Sequence, residues 1–180
     1  QALFPDPSSQ KGWVFQQFLE GPSYSIEVIG YKGDYQVFQI TELEMDAIYD
    51  CKRVLAPAGL SKSLQGELEQ IALKIARAIN LNGIMDVEVI LSDGQLKVLE
   101  IDCRLPSQTP TAVYQSTGIN MVEVLGNLFL NCYRKKEQSL NPRGVVFEHL
   151  AFSPGKLEVR GEHIISQAGP LELKRDFYGA

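Results

Sequence analysis

Residues 88–104, EVILSDGQLKVLEIDCR, decide the fold of this chain and raise its functional question. Two runs rich in Val, Ile and Leu flank the Asp-Gly turn signal at Asp93-Gly94, which reads as a β-hairpin. Glu88, Glu100 and Asp102 interrupt those apolar runs, and Asp86 and Arg104 stand at their ends. Two registers are open. A two-residue turn at Asp93-Gly94 sets Glu88 opposite Leu99, so that Glu88 and Glu100 face opposite sides of the hairpin. A three-residue loop, Ser92-Asp93-Gly94 with Gly94 left-handed, pairs Leu91 with Gln95. Asp86 then lies opposite Glu100, Glu88 opposite Val98, and Asp102 continues the same face.

In the second register the acids crowd one another. Two carboxylates about 5 Å apart repel by roughly 3 kcal/mol at an effective dielectric near 20. A domain whose whole stability is about 5–15 kcal/mol needs protons or cations to neutralise several such pairs. Oxygen ligands without Cys or His among them select hard Mg2+ or Mn2+, and Mg2+ commonly takes phosphate as a co-ligand. The plainer reading is a solvated acidic hairpin face. The apolar flanks weigh against it.

The wider composition suits one compact domain or two small lobes: 180 residues, 44% hydrophobic, 22% charged, net charge −5. No basic run or basic amphipathic helix suggests nucleic acid or a membrane surface as a partner. Cys51, Cys103 and Cys132 are odd in number, far apart and form no C-x-x-C pair. That argues against a disulfide framework or structural zinc and for a reducing cytoplasm. No stretch reaches the roughly 18–20 apolar residues of a membrane span, and no signal peptide is evident. A chain that opens at Gln1 and stops at RDFYGA, where a new segment begins, is expected to be a piece of a longer protein.

Turn signals EGPS and KGD separate expected strands at Trp13–Leu19, Ser25–Tyr31 and Tyr35–Ile40, and a polar stretch covers Tyr49 to Ser63. Leu64, Leu68, Ile71, Ala72, Ile75 and Ile79 form one helical stripe that should be core, ending near Asn82-Gly83. A second helix is expected near 120–131, with Asn120 and Glu123 as a capping box. Strand patterns return at Gly144–Phe152, Lys156–Val159 and His163–Gln167.

Taken in order, VFQQFLEGPSYSIEVIG, DCKRV and DVEVILSDGQLKVLEIDCRLPSQTPTAVYQSTGIN resemble the ATP-grasp ligases. The run RLPSQTPTAVYQSTGIN, with FEHL and GEHII beyond it, is most similar to ligases of pyrrolysine biosynthesis, which join 3-methyl-D-ornithine to the ε-amine of L-lysine. Carbamoyl-phosphate synthetase large chains share the carboxylate hairpin and the Arg after it. The resemblance implies an α+β fold, the carboxyl-terminal part of an ATP-grasp domain over 1–140, followed by a strand-rich segment over 141–180. It also implies ATP and Mg2+ (or Mn2+) as cofactors, small amino-acid substrates, and room for a homodimer.

Residue by residue, the resemblance makes Gln16, Gln17, Phe18 and Leu19 the adenine-reading hinge. Ser23 stands where relatives often place an acid on the ribose, and Lys52 reaches the terminal phosphate. Glu88, Glu100 and Asp102 bind the metal, Asp102 replacing a more usual Asn, and this requires the three-residue loop. Arg104 stabilises the transferring phosphoryl group or acyl phosphate, while Ser107, Gln108 and Thr109 line the amino-acid pocket. The family's glycine-rich phosphate loop, an earlier lysine and an amino-terminal substrate domain have no counterpart in this sequence, so the piece alone is expected to be inactive or a weak nucleotide binder.

Blander roles compete. Arg104 pairs only with Asp102, Arg53 is a surface charge, Thr109 caps a helix with Pro110 at its first position, His149 and His163 are structural, and Cys103 points into the core. The competing functions are a carbamoyl-phosphate synthetase-like chain and a non-catalytic ATP-grasp module that only binds nucleotide.

Overall fold

A computed structural model describes residues 16–130 and 142–161, apart from the side chain of Ser153. Its centre is a seven-stranded sheet. The strands are β1 (Ser23–Tyr31), β2 (Asp34–Val37), β3 (Thr41–Met45), β4 (Cys51–Ala56), β5 (Gly83–Ser92), β6 (Gln95–Asp102) and β7 (Val145–Glu148). They run in the order β6-β5-β1-β3-β4-β7, with β2 also paired to β1, and every pairing is antiparallel. A separate hairpin joins β8 (Leu150–Ser153) and β9 (Lys156–Val159).

Side-chain alternation splits β1 and β5 into two unlike faces. Tyr24, Ile26 and Val28 point one way with Met85, Val87 and Val89, and helix α1 (Lys62–Ala78) covers them with Leu68, Ala72 and Ala76. Ser61 caps α1, accepting from the Leu64 N–H, and Leu64 and Ile75 pack at the margin of that core. The predicted stripe is therefore the core face, except that Ile71 is only half-buried and Ile79, at the helix end, is 49% exposed. Asn80, not Asn82-Gly83, makes the left-handed exit with φ 49°, and Gly83 already opens β5.

The other face is apolar at one end only. There Ile29, Phe38 and Ile84 pack under α2 (Thr109–Thr117) and α3 (Met121–Phe129) through Val113, Met121, Val124 and Leu128. The single helix expected near 120–131 is thus the second of two, divided by Gly118 at φ 78°. Asn120 caps α3 as expected, accepting from the N–H groups of Val122 and Glu123. Toward the opposite end the same face turns polar: Ser25 and Glu27 on β1 pair with Glu88 and Asp86 on β5.

Two expectations about the strands change. The segment 16–20 forms no strand, and residues 13–15 lie outside the described part, as do residue 131, Cys132, His163 and the strand expected at His163–Gln167. The polar region after Ile40 instead carries β3 and β4. Both are interior strands, yet Glu42, Glu44 and Lys52 face the cavity described below, so no clean apolar alternation marks them. Beyond residue 141, β7 pairs with β4 from Arg53↔Glu148 to Ala56↔Val145, making the last strand of the sheet.

Candidate nucleotide and metal site

The hairpin adopts neither of the two simple registers. Its turn has two residues, Asp93 at φ 51° and Gly94 at φ 73°, with Ser92 paired to Gln95. Both central residues are left-handed, which matches the twist of the flanking strands. Up to Val89↔Val98 the register follows from that turn. A bulge then leaves Leu99 as the extra residue, and beyond it Glu88 pairs with Glu100, Val87 with Ile101 and Asp86 with Asp102. The three-residue loop is thus overturned, but its purpose is met: the bulge turns Glu100 and Asp102 onto the side of Glu88 and Asp86. The acids face each other as two direct cross-strand pairs.

Burial grades across these pairs. Asp86 is 3% exposed and accepts the Ser25 hydroxyl at 2.5 Å, Glu88 and Asp102 are half-buried, and Glu100 is open to solvent. Burial pushes the Glu88 carboxyl up to about 7, with Asp86, Glu100 and Asp102 adding to the shift and Arg104 opposing it. Asp86 rises to about 6, again mainly by burial, against the pull of its bond from Ser25. Behind them Glu27, fully buried, is pushed up to about 8 by burial and by the charge of Asp86, while the Thr109 hydroxyl works the other way. All three shifts come first from burial and then from the crowding of like charges. Arg104 is largely exposed and donates to Asp102, so the expected ion pair exists.

Among the described residues no three acids converge closely enough to form a closed metal site. An open, all-oxygen set fits a hard divalent cation that keeps water and phosphate ligands. Cys103 does not oppose this. It is exposed rather than core, because β6 is the outermost strand and Ile101 beside it is also uncovered.

Along the same hairpin lies a cavity of about 810 Å³, lined among others by Gln16–Ser23, Glu44, Tyr49, Lys52, Ile90 and Leu99, the last two being neighbours of the acids and not the acids themselves. That volume is within the usual range for small-molecule sites. All the expected hinge residues and Lys52 therefore share one wall system, although the hinge is not a strand. Its path is fixed by Gly21, where an added Cβ would lie 2.1 Å from the Leu91 carbonyl oxygen, and by the Leu91 N–H donating to the Pro22 carbonyl. At the rim Phe18 meets Tyr49 edge to face at 5.7 Å.

A second bulge aims Lys52. Met45 pairs with Cys51 and Glu44 with Arg53, leaving Lys52 as the extra residue of β4. Bulges re-aim side chains next to functional sites. Arg53, beside it, is more than a surface charge. It donates to Glu44 at 3.0 Å and to Glu148 at 2.5 Å, tying β3, β4 and β7, while Lys52 sits 4.0 Å from Glu44. His149 is buried, meets Phe147 edge to face, and its backbone N–H donates to the Lys52 carbonyl.

Ser107, Gln108 and Thr109 lead into α2, with Ser107 exposed and Thr109 buried. Thr109 does not cap the helix as expected; it is the first helical residue, and its hydroxyl donates to Glu27. Reasoning from the sequence missed Glu27, Ser25 and Glu44. The available signal was Ser23, Ser25 and Glu27 at every second position of an otherwise apolar strand.

A cavity of small-molecule size along a hairpin of paired acids on an antiparallel sheet is in keeping with an ATP-grasp fold, and the chain belongs to that family: the ATP-grasp domain model matches residues 3–108. Among curated proteins it is similar to 3-methyl-D-ornithine–L-lysine ligase of Methanosarcina mazei, 37% identical over 87% of this chain and 41% of that protein. The arginine-specific carbamoyl phosphate synthase large chain of Eremothecium gossypii is 30% identical over 65% of this chain and 11% of that protein. Among solved structures, an L-amino acid ligase from Bacillus licheniformis superposes with a TM-score of 0.65 at 22% identity, over 76% of this chain and 36% of that one. The chain thus spans about two-fifths of the length of the 3-methyl-D-ornithine–L-lysine ligase it resembles.

Proposed function

We propose that this chain carries the nucleotide and metal side of a carboxylate–amine ligase that joins 3-methyl-D-ornithine to L-lysine through an acyl phosphate. The observation that carries the reading is the shared wall of the hinge, Gln16–Leu19, and Lys52 around one cavity beside the Asp86–Asp102 and Glu88–Glu100 pairs. Similarity to 3-methyl-D-ornithine–L-lysine ligase supports the choice of substrates.

In this reading backbone groups of Gln17 and Leu19 hold the adenine edge, Ser23 faces the ribose, and Lys52 reaches the terminal phosphate. Glu88, Glu100 and Asp102 would hold Mg2+, and the ion would supply charge neutralisation for the phosphates. A substrate carboxylate oxygen attacks the γ-phosphorus as ADP leaves. Arg104 balances the charge of the acyl phosphate. The amine then attacks the acyl carbon, phosphate departs, and the amine loses a proton. Ser107 and Gln108 line the amino-acid pocket; Thr109 contributes through its bond to Glu27. Most of the catalytic effect comes from positioning.

The test is ADP release by the full-length protein with ATP and Mg2+, given either D-ornithine (or its 3-methyl form) with L-lysine, or bicarbonate with ammonia. Turnover with the amino acids and an amide product, lost in Glu100→Gln, supports the ligase. Turnover with bicarbonate and ammonia alone moves the chain to the carbamoyl-phosphate branch. Nucleotide binding without turnover in either set favours a binding module.

A further inference from the structure

Glu27 lies where β1 changes neighbours. Ser25 pairs with Thr41 of β3, Val28 pairs with Val37 of β2, and between them the Glu27 carbonyl accepts the Phe38 N–H. The Glu27 side chain is 0% exposed. The Thr109 hydroxyl donates to its Oε1, and among the described residues its Oε2 has no hydrogen-bond partner. The buried Oε1 of Gln108, next to Thr109, also has none.

Two observations make this bond more than packing. Threonine is a good helix cap, yet the Thr109 hydroxyl reaches across to β1, and Gln108, at the cap position, makes no side-chain cap bond. A buried carboxyl that leaves one oxygen without a donor is also a costly way to dock a helix, since an apolar side chain would pack there without that loss. What an acid at this position adds is a directional hold on the loop that enters α2. The register of β1 on β5 sets that hold directly beside Asp86 and one step from Glu88.

We propose that Glu27 is a positioning residue: through Thr109 it sets the place of Ser107 and Gln108 beside the acid pairs, and so governs binding of the amino-acid substrate rather than of the nucleotide. This rests on the ligase reading above. The Thr109 bond holds the loop that enters α2, whereas the hinge and Lys52 that line the nucleotide cavity belong to other segments, so the two binding events should separate.

The experiment measures KM for ATP and for the amino acids in the full-length protein carrying Thr109→Val, Thr109→Ser, Glu27→Leu and the double variant Glu27→Leu/Thr109→Val. Thr109→Val and Glu27→Leu should each raise an amino-acid KM about tenfold or more, with KM for ATP within about twofold. Thr109→Ser should restore it, and the double variant should be no worse than either single one, because both remove the same bond. Additive effects, equal rises for ATP, or no rescue by serine would overturn the proposal. Amide hydrogen exchange over residues 108–113 supplies a readout that needs no turnover. Faster exchange in Thr109→Val, reversed in Thr109→Ser, is expected, and unchanged exchange overturns the latch. A wild-type protein that turns over no amino acids defeats the ligase reading, while exchange still decides whether the latch exists.

Discussion

The two faces of β1 and β5 are built from the same strands and obey opposite rules. Behind, Ile26, Val28, Met85, Val87 and Val89 are completely buried under α1. In front, Ser25, Glu27, Asp86 and Glu88 occupy the alternate positions of those strands, in register with one another. One face contributes stability through burial; the other gives some of it up by holding acids where water is scarce. The difference teaches that the charge in this sheet is tolerated because the dry layer behind it is large enough to carry it.

The most forceful way to break the contrast is to put an acid on the wrong side. Val87→Asp should destabilise the chain by about 4 kcal/mol or more, because a carboxylate enters a fully buried and largely apolar layer. Urea unfolding measures this, and a loss below about 1 kcal/mol would mean that the rear face is not dry. Leu68→Ala, which empties part of α1's contact, should cost about 2–5 kcal/mol by the same measurement.

On the front face the sign reverses. Glu88→Gln should stabilise the metal-free chain by about 1–2 kcal/mol near pH 7.5, since it removes a half-buried charge. Destabilisation of that size would place Glu88 in a favourable pairing instead. The pH profile sharpens the same point. Glu27, Glu88 and Asp86, pushed up to about 8, 7 and 6, keep protons when folded that the unfolded chain releases near its ordinary carboxylate range. The unfolded state therefore binds fewer protons, and stability, full below about pH 4, should fall as the pH rises through those values. Millimolar Mg2+ should flatten the fall by supplying positive charge; thermal unfolding at several pH values with and without Mg2+ checks both, and a rise with pH in its absence would contradict the site. The smallest effect expected is from Asn120→Ala, about 1 kcal/mol from the lost α3 cap, read as a small drop in melting temperature.

The sequence carried some of this architecture openly and hid the rest. The α1 stripe, the Asn120 cap and the Asp93-Gly94 turn each depend on local residue chemistry, so they could be read from neighbours along the chain. The bulges at Lys52 and Leu99 could not, because no residue type marks them; they come from strands accommodating their partners. That is why acids that do share one face were read together with the wrong loop. Strands β3 and β4 stayed hidden because Glu42, Glu44, Lys52 and Arg53 make them look like surface. The Thr109–Glu27 bond spans 82 positions, and only the folded sheet brings those residues together.

Lys52 sits on a strand whose outer side is covered by β7, with the His149 N–H extending that ladder past the bulge; beyond it the Arg160 N–H donates to the His149 carbonyl, and the Gly161 N–H donates to Asp46. Removing the chain from residue 144 onward would leave β4 as a bare sheet edge. Such an edge offers unpaired backbone groups to any passing strand, so a shortened version cut before β7 should be prone to self-association, and a practical boundary for producing this unit lies beyond Gly161.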